Sequence, residues 1–386
     1  MRDGWTETAL GSVLKLSNKK LGPHKEEPEI FAISKYDGVV LAQDYFDRRI
    51  ASKSLNGYKV IGPGDWVYST IHIDEGSIAV NHFPFQGVVS PMYTSMIWDS
   101  RLHDCRFFEF LLKSDAALIR YQENAQGTVN RRRSLSWKAF SEMTFVVPPQ
   151  TEQKRIVDVV SSVDVYIDAL QQQVDSARTA RNAVLHELLS AGGDGWTETN
   201  LGDIAEVLDR MRKPISSSER ENRLGDVPYY GATGQAGWID KPIFDEELVL
   251  LGEDAIDFLN PDVHKAYLIS GPSWVNNHAH VLRAKKEKVF SFFLMEALNA
   301  VDYSQFVAFG TRSKLTQGSM MGISVQVPPL AEQQRIVEIV SSMDEVVQST
   351  EKALAASKSL RSGLLSDLLS GEHEIPASYD SLLGAA

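Results

Sequence analysis

The chain has 386 residues, enough for two or three domains with sizeable cores. Its 43% hydrophobic and 23% charged residues exclude a disordered chain, and no apolar run reaches the roughly 20 residues that span a bilayer. The formal net charge of −12 excludes a uniformly basic nucleic-acid binder, so any contact with DNA needs local basic patches or a partner that shares the phosphate grip.

Cys105 is the only cysteine, which excludes internal disulfides and a thiolate zinc site. With the polar start MRDGWTETAL, which has no secretory pattern, it leads to the expectation of a cytoplasmic protein. Within RLHDCRFFEF it reads as a small core residue.

In chain order, DGWTETALG at 3–11 comes first. Short runs with β-type alternation and Gly/Pro/Asn punctuation follow: EIFAISKYDGVV, NGYKVIGPGDWVYSTI and GSIAVNHFPFQGVVSPMYTSMIW. CRFFEFLLKSDAALIRYQ has helical spacing, and the basic segment GTVNRRRS at 127–134 leads to VPPQTEQKRIV at 147–157. DGWTETNLG at 194–202 then restarts the series, and VPPLAEQQRIV closes it at 327–337. Between these markers lie DVPYYGATGQAGWID, ELVLLGED, SWVNNHAHVLRAK, the helical FSFFLMEALNAV and the basic GTRSKLTQ at 310–317. Two copies at so long a period mean a duplicated domain, not a solenoid. Without a gap, 17 of 44 positions are identical between 147–190 and 327–370, whereas the stretches before them hardly align. A shared frame carrying divergent inserts is expected when the frame has one job and the inserts have two. Both inserts read as α+β, strands first and a helix near the end.

After each proline pair a long helix is expected, with Glu152 and Glu332 in the first turn, where the helix dipole favours a carboxylate. Apolar residues recur at 3,4 spacing: Ile156, Val160, Val163, Ile167, Leu170 and Val174 in the first copy; Ile336, Val340, Met343, Val347 and Leu354 in the second. Such a seam cannot be buried by one helix alone, and each helix is the other's nearest available partner. An antiparallel pair related by a pseudo-two-fold is the more natural arrangement, a rod of about 60 Å. Arg181 and Arg361 interrupt both seams at one register, which suits either fixing that register or facing a partner.

No catalytic constellation stands out. His278 and His280 alternate without a carboxylate triad, Glu253, Asp254 and Asp257 read as a solvated loop, and no phosphate loop or nucleophile elbow is present, so neither a catalytic nor a metal site is expected. The loops suit base reading, for which Arg, Lys, Asn and Gln are the standard side chains. The candidates are Thr128, Asn130, Arg131, Arg132 and Arg133 before the first VPP, and Thr311, Arg312, Ser313, Lys314 and Gln317 before the second. Thr233 and Gln235 in the glycine-flanked GATGQAG join them, with Lys35, His72 and Asn81 as further polar candidates.

The duplicated Pro-Pro-x-x-Glu-Gln phrase, Pro148 to Gln153 and Pro328 to Gln333, together with VPYYGATGQAGWID, NNHAHVL and VVSPMY, resembles the type I restriction–modification specificity subunits over essentially the whole chain. The resemblance implies target recognition domains at 1–150 and 194–330, spacer helices at 151–193 and 331–371, and a tail at 372–386. It implies a non-catalytic subunit in which each domain reads half of a bipartite DNA site. The helices would form an antiparallel coiled coil that sets the gap and docks two modification (methyltransferase) subunits, with a restriction/translocase subunit as a further partner. S-adenosylmethionine, ATP and magnesium would then belong to the partners and none to this chain. A coiled-coil protein-interaction scaffold and the specificity component of a methylation-only system are the alternatives.

Overall fold

The computed structural model describes residues 4–23, 27–46, 52, 54–126, 133–261, 263–308 and 313–383. The chain forms two compact units, Met1–Ala169 with Leu354–Ala386, and Leu170–Ala353. The helices that matter here are α1 (Cys105–Leu111), α2 (Gln150–Ser190), α3 (Ser291–Asn299) and α4 (Leu330–Ser370). The boundary between these units falls inside α2 and α4, because each helix half packs into a different core.

The two units share a sheet that their sequences hide. In the first, Leu14–Ser17, Tyr93–Trp98, Trp66–Ser69 and Ile78–Val80 pair antiparallel in that spatial order. In the second, Ala205–Val207, Ala279–Ala284, Leu248–Gly252 and Ala266–Ile269 do the same. The rungs correspond: Trp98 faces Leu14 and Ala284 faces Ala205, which places Thr94 and His280 at equivalent positions. A second set of strands differs. The first unit has the hairpin Phe31–Ser34/Gly38–Leu41 and the pair Lys59–Ile61/Gly87–Val89. The second has a four-stranded sheet in which Val227–Gly231 and Pro272–Val275 run parallel. The helical run after Cys105 is broken in two, since Ser114 caps a separate helix, Asp115–Asn124, by accepting from the Ala117 N–H.

The repeated phrases build one clasp twice. Thr6–Ala9 pairs antiparallel with Thr144–Val147, and Thr197–Asn200 with Ser324–Val327. The Trp5 indole donates to Glu152 at 3.2 Å, and that of Trp196 to Glu332 at 3.1 Å. Gln153 and Gln333 are fully buried, and each accepts from the backbone N–H before a domain helix, Asp104 at 2.7 Å and Phe290 at 3.0 Å, while donating to Pro148 and Pro328. Gly4 and Gly195 have φ of +80° and +85°, and a Cβ there would stand 3.3 and 3.1 Å from Pro149 and Pro329 Cγ. Only glycine meets both demands. GWTET and VPPxxEQ therefore recur together because they are the two halves of one joint.

The long helices pair antiparallel within each unit. In the second, Arg178 meets Glu351 and Arg181 meets Asp344 at 2.9 Å; in the first, Arg361 meets Asp164. Ile156, Val160, Ile167, Leu170, Val174, Ile336, Val340 and Leu354 are buried, and Val163, Met343 and Val347 half-buried. The C-terminal tail is no appendage: Ile375 joins the first unit's core, and Arg155 grips Asp380 through two bonds of 2.7 and 2.6 Å. Among the described residues no helix is long and apolar enough to cross a membrane.

Candidate nucleic-acid interface

The residues that flank the two basic segments form short antiparallel pairings at equivalent places. In the first unit Gln126 and Ser134 pair on either side of 127–133; in the second, Val307 and Ala308 pair with Leu315 and Lys314 on either side of 309–313. The return arm is then stitched to the shared sheet, by Leu135 N–H to Thr70 at 2.8 Å and by Leu315 N–H to Glu253 at 2.9 Å. A short helix follows each, capped by Ser136 and by Thr316.

At this end of the second unit several loops converge. The carbonyl of Ala232 lies against Gly252, where a Cβ would stand 3.3 Å from it, and Asn276 N–H bonds to Tyr230. Glu253 N–H bonds to His278 O at 2.8 Å, and Leu315 closes the set. The turn with Thr233, the acidic loop, the histidine loop and the Lys314 arm thus meet at one end of the sheet.

The sequence candidates fall as follows. Arg133, Thr233, Gln235, Lys314 and Gln317 are exposed and Ser313 is half-buried. Gln235 lies in the strand Gly234–Ile239, not in a loop, and its amide bonds back to Gly237. Lys314 is ion-paired with Glu253 at 2.9 Å, which raises its pKa, and Gln317 opens the helix Gln317–Met321. Thr128, Asn130, Arg131, Arg132, Thr311 and Arg312 lie outside the described residues. Asn81 is 1% exposed and holds Gly62 O and Phe85 O, so it is structural, while Lys35 and His72 both pair with Glu75. Burial pushes the Cys105 thiol up to about 11, in keeping with an inert side chain.

Sequence reading missed an ionic network. Its loop GEDAID is not simply solvated: Glu253 is 12% exposed and accepts from Arg212 at 2.7 Å, Asp254 pairs with His278 at 2.6 Å, and Asp257 caps Leu259. His280, 1% exposed, meets Asp209 at 2.6 Å, and Arg212 also reaches Asp209 at 3.1 Å. Oxygen and nitrogen atoms of Asp209, Glu253 and His280 lie within 4.8 Å of one another, and Arg212 and Lys314 already neutralise both carboxylates. Burial alone would raise the Asp209 and Glu253 pKa values. Hydrogen bonds outweigh it and hold both below the ordinary carboxylate range, from His280 and Val281 N–H for Asp209, and from Arg212 and Lys314 for Glu253.

A family model described as the type I restriction modification DNA specificity domain matches residues 193–356. A provisionally named type I restriction enzyme specificity subunit of Haemophilus influenzae is 32% identical over 159 residues, 41% of this chain and 40% of that protein. The likewise provisionally named MjaX specificity subunit of Methanocaldococcus jannaschii is 20% identical over 394 residues, covering 94% of this chain and 90% of that one. The chain is similar to the type I restriction–modification specificity subunits, and residues 193–356 match the family's DNA specificity domain. The fold of the chain is similar to that of a chain from a study of assembly and conformational transition in a type I R-M system, with a TM-score of 0.60, 18% identity and coverage of 96% and 98%. The S subunit from M. genitalium follows at a TM-score of 0.56, 16% identity and coverage of 94% and 96%. The chain thus matches under half the length of the Haemophilus relative and nearly all of the others.

Proposed function

We propose that this chain is the DNA-reading subunit of a type I restriction–modification complex, cytoplasmic and itself non-catalytic, with each unit reading one half of an asymmetric bipartite site. The observation that carries this reading is the pair of equivalent backbone pairings, Gln126 with Ser134 and Val307–Ala308 with Lys314–Leu315, that flank two basic segments unlike in sequence. Equivalent placement serves one task, and unlike side chains serve two targets. Arg, Asn and Lys in such segments match the groove edges of guanine and adenine.

In this reading α2 and α4 set the spacing between half-sites and dock two modification subunits. Val165, Tyr166, Ile339 and Val346 are exposed apolar residues along these helices and suit such docking. S-adenosylmethionine, ATP and magnesium would be bound by the partners, whose basic groups would also offset the −12 charge of this chain. The test is titration of the chain with its modification partner against duplex DNA at several salt concentrations. Affinity falling steeply with salt, with a sequence-dependent component, is expected. Binding to protein alone, with no response to DNA, would reverse the reading in favour of an interaction scaffold.

A further inference from the structure

The return arms of the two candidate reading segments are anchored at the same atom by different chemistry. Leu135 and Leu315 occupy equivalent positions, both fully buried, each one residue before the capping residue of the following helix. In the first unit the Leu135 carbonyl accepts from the Tyr68 hydroxyl at 3.3 Å. In the second, the Leu315 carbonyl faces His280 Nε2 at 2.9 Å. Tyr68 and His280 stand on adjacent strands of the shared sheet, and the partner of Tyr68 across the rung, Thr94, is the residue that His280 replaces.

The protonation of His280 follows from its neighbours. Nε2 faces a carbonyl, which can only accept, and Nδ1 faces the Asp209 carboxylate at 2.6 Å. Both ring nitrogens donate only in the imidazolium, so a neutral ring must abandon one of these contacts. The charged groups around the ring are Asp209 and Arg212 from the turn after Ala205–Val207, Glu253 at 3.8 Å from the end of Leu248–Gly252, and Lys314 from the arm itself. The neighbouring His278 is engaged with Asp254. Tyr68 has no such switch, since burial pushes its phenol up to about 12 and it stays protonated at neutral pH.

We infer that His280, in its doubly protonated form, is the positioning residue for the Lys314–Gln317 arm, and that recognition through the second unit is therefore pH-sensitive where recognition through the first is not. This rests on the reading of the two segments as DNA-facing. A ring that has given up one proton can keep only one of its two contacts, so the anchoring weakens in the direction of rising pH. The two half-sites then serve as each other's control.

The experiment uses the full chain with its modification partner and three duplexes: the site mapped by methylation, and the same duplex with either half scrambled. Discrimination at each half is measured from mildly acidic to mildly alkaline pH. The half read by the second unit should lose discrimination on the order of tenfold with rising pH, the scale of one charge-assisted hydrogen bond, while the other half stays level. His280→Gln, which offers one donor at every pH, should flatten that profile, and Tyr68→Phe should weaken the first half equally at all pH values. Equal pH responses of the two halves, or a His280→Gln profile that keeps its slope, would overturn the inference and leave the DNA reading intact. A complex with no sequence preference at any pH would overturn both.

Discussion

Arg181 and Arg361 sit at one register of the repeat and make the same primary contact, each with the aspartate of the opposing helix, Asp344 and Asp164. Their third neighbours differ. Asp104 and Phe290, whose backbone N–H groups donate equivalently to Gln153 and Gln333, align α1 with α3, and this alignment puts Phe110 where the second unit has Glu296. Arg361 lies over the Phe110 ring at 5.7 Å, whereas Arg181 forms an ion pair with Glu296, whose side chain is 2% exposed. Arg181→Met leaves that carboxylate buried without its cation and should destabilise the protein by about 3–5 kcal/mol in denaturant unfolding. Arg361→Met breaks a pair whose side chains are 29% and 37% exposed and should cost no more than about 1 kcal/mol. Adding Glu296→Leu to Arg181→Met should recover most of the loss, because a packed apolar pair replaces an orphaned charge. Equal losses for the two single variants would mean that Glu296 plays no part.

At the scale of elements, the joint between GWTET and VPPxxEQ is the frame's repeated device. Gln153→Leu removes an acceptor for the Asp104 N–H and the amide that meets Pro148 O and His103, and Gln333→Leu an acceptor for the Phe290 N–H and the amide that donates to Pro328 O and Lys288 O, in buried or half-buried surroundings. Each should cost about 2–3 kcal/mol, measured by the same unfolding curves. A change below 0.5 kcal/mol in both, the scale of a neutral surface substitution, would show that the clasp is dispensable. The helices and their seams were legible in the sequence because they rest on local pattern: a proline pair, a first-turn glutamate and apolar residues at 3,4 spacing; of the joint, only its two repeated phrases were, since what pairs them is long-range. The shared sheet was not, since strand pairing tolerates any residues that suit each face, and the two inserts keep topology without keeping letters. The ionic network was least legible. Asp209, Glu253, His280 and Lys314 come from four separated segments, and no spacing along the chain announces that folding brings them together. Conversely, Asn81 and Gln235 had base-reading chemistry by type, and the fold uses their amides internally.

At the scale of the whole molecule, a duplicated frame with unlike inserts implies two unlike targets. The second unit concentrates its charge in compensated pairs, with Arg212, Arg283 and Lys314 each held by a carboxylate. On the proposed DNA-reading function, its affinity for DNA should therefore depend on partner subunits more than on its own net charge. The most direct measurement is base-resolution mapping of methylated motifs in cells with and without this chain, repeated with the insert of the second unit exchanged for that of a relative. The account predicts a methylated motif of two unlike blocks separated by an unread gap, present only with the chain, in which the exchange alters one block and leaves the other unchanged. A palindromic or uninterrupted motif, or one that the exchange leaves intact, would contradict it.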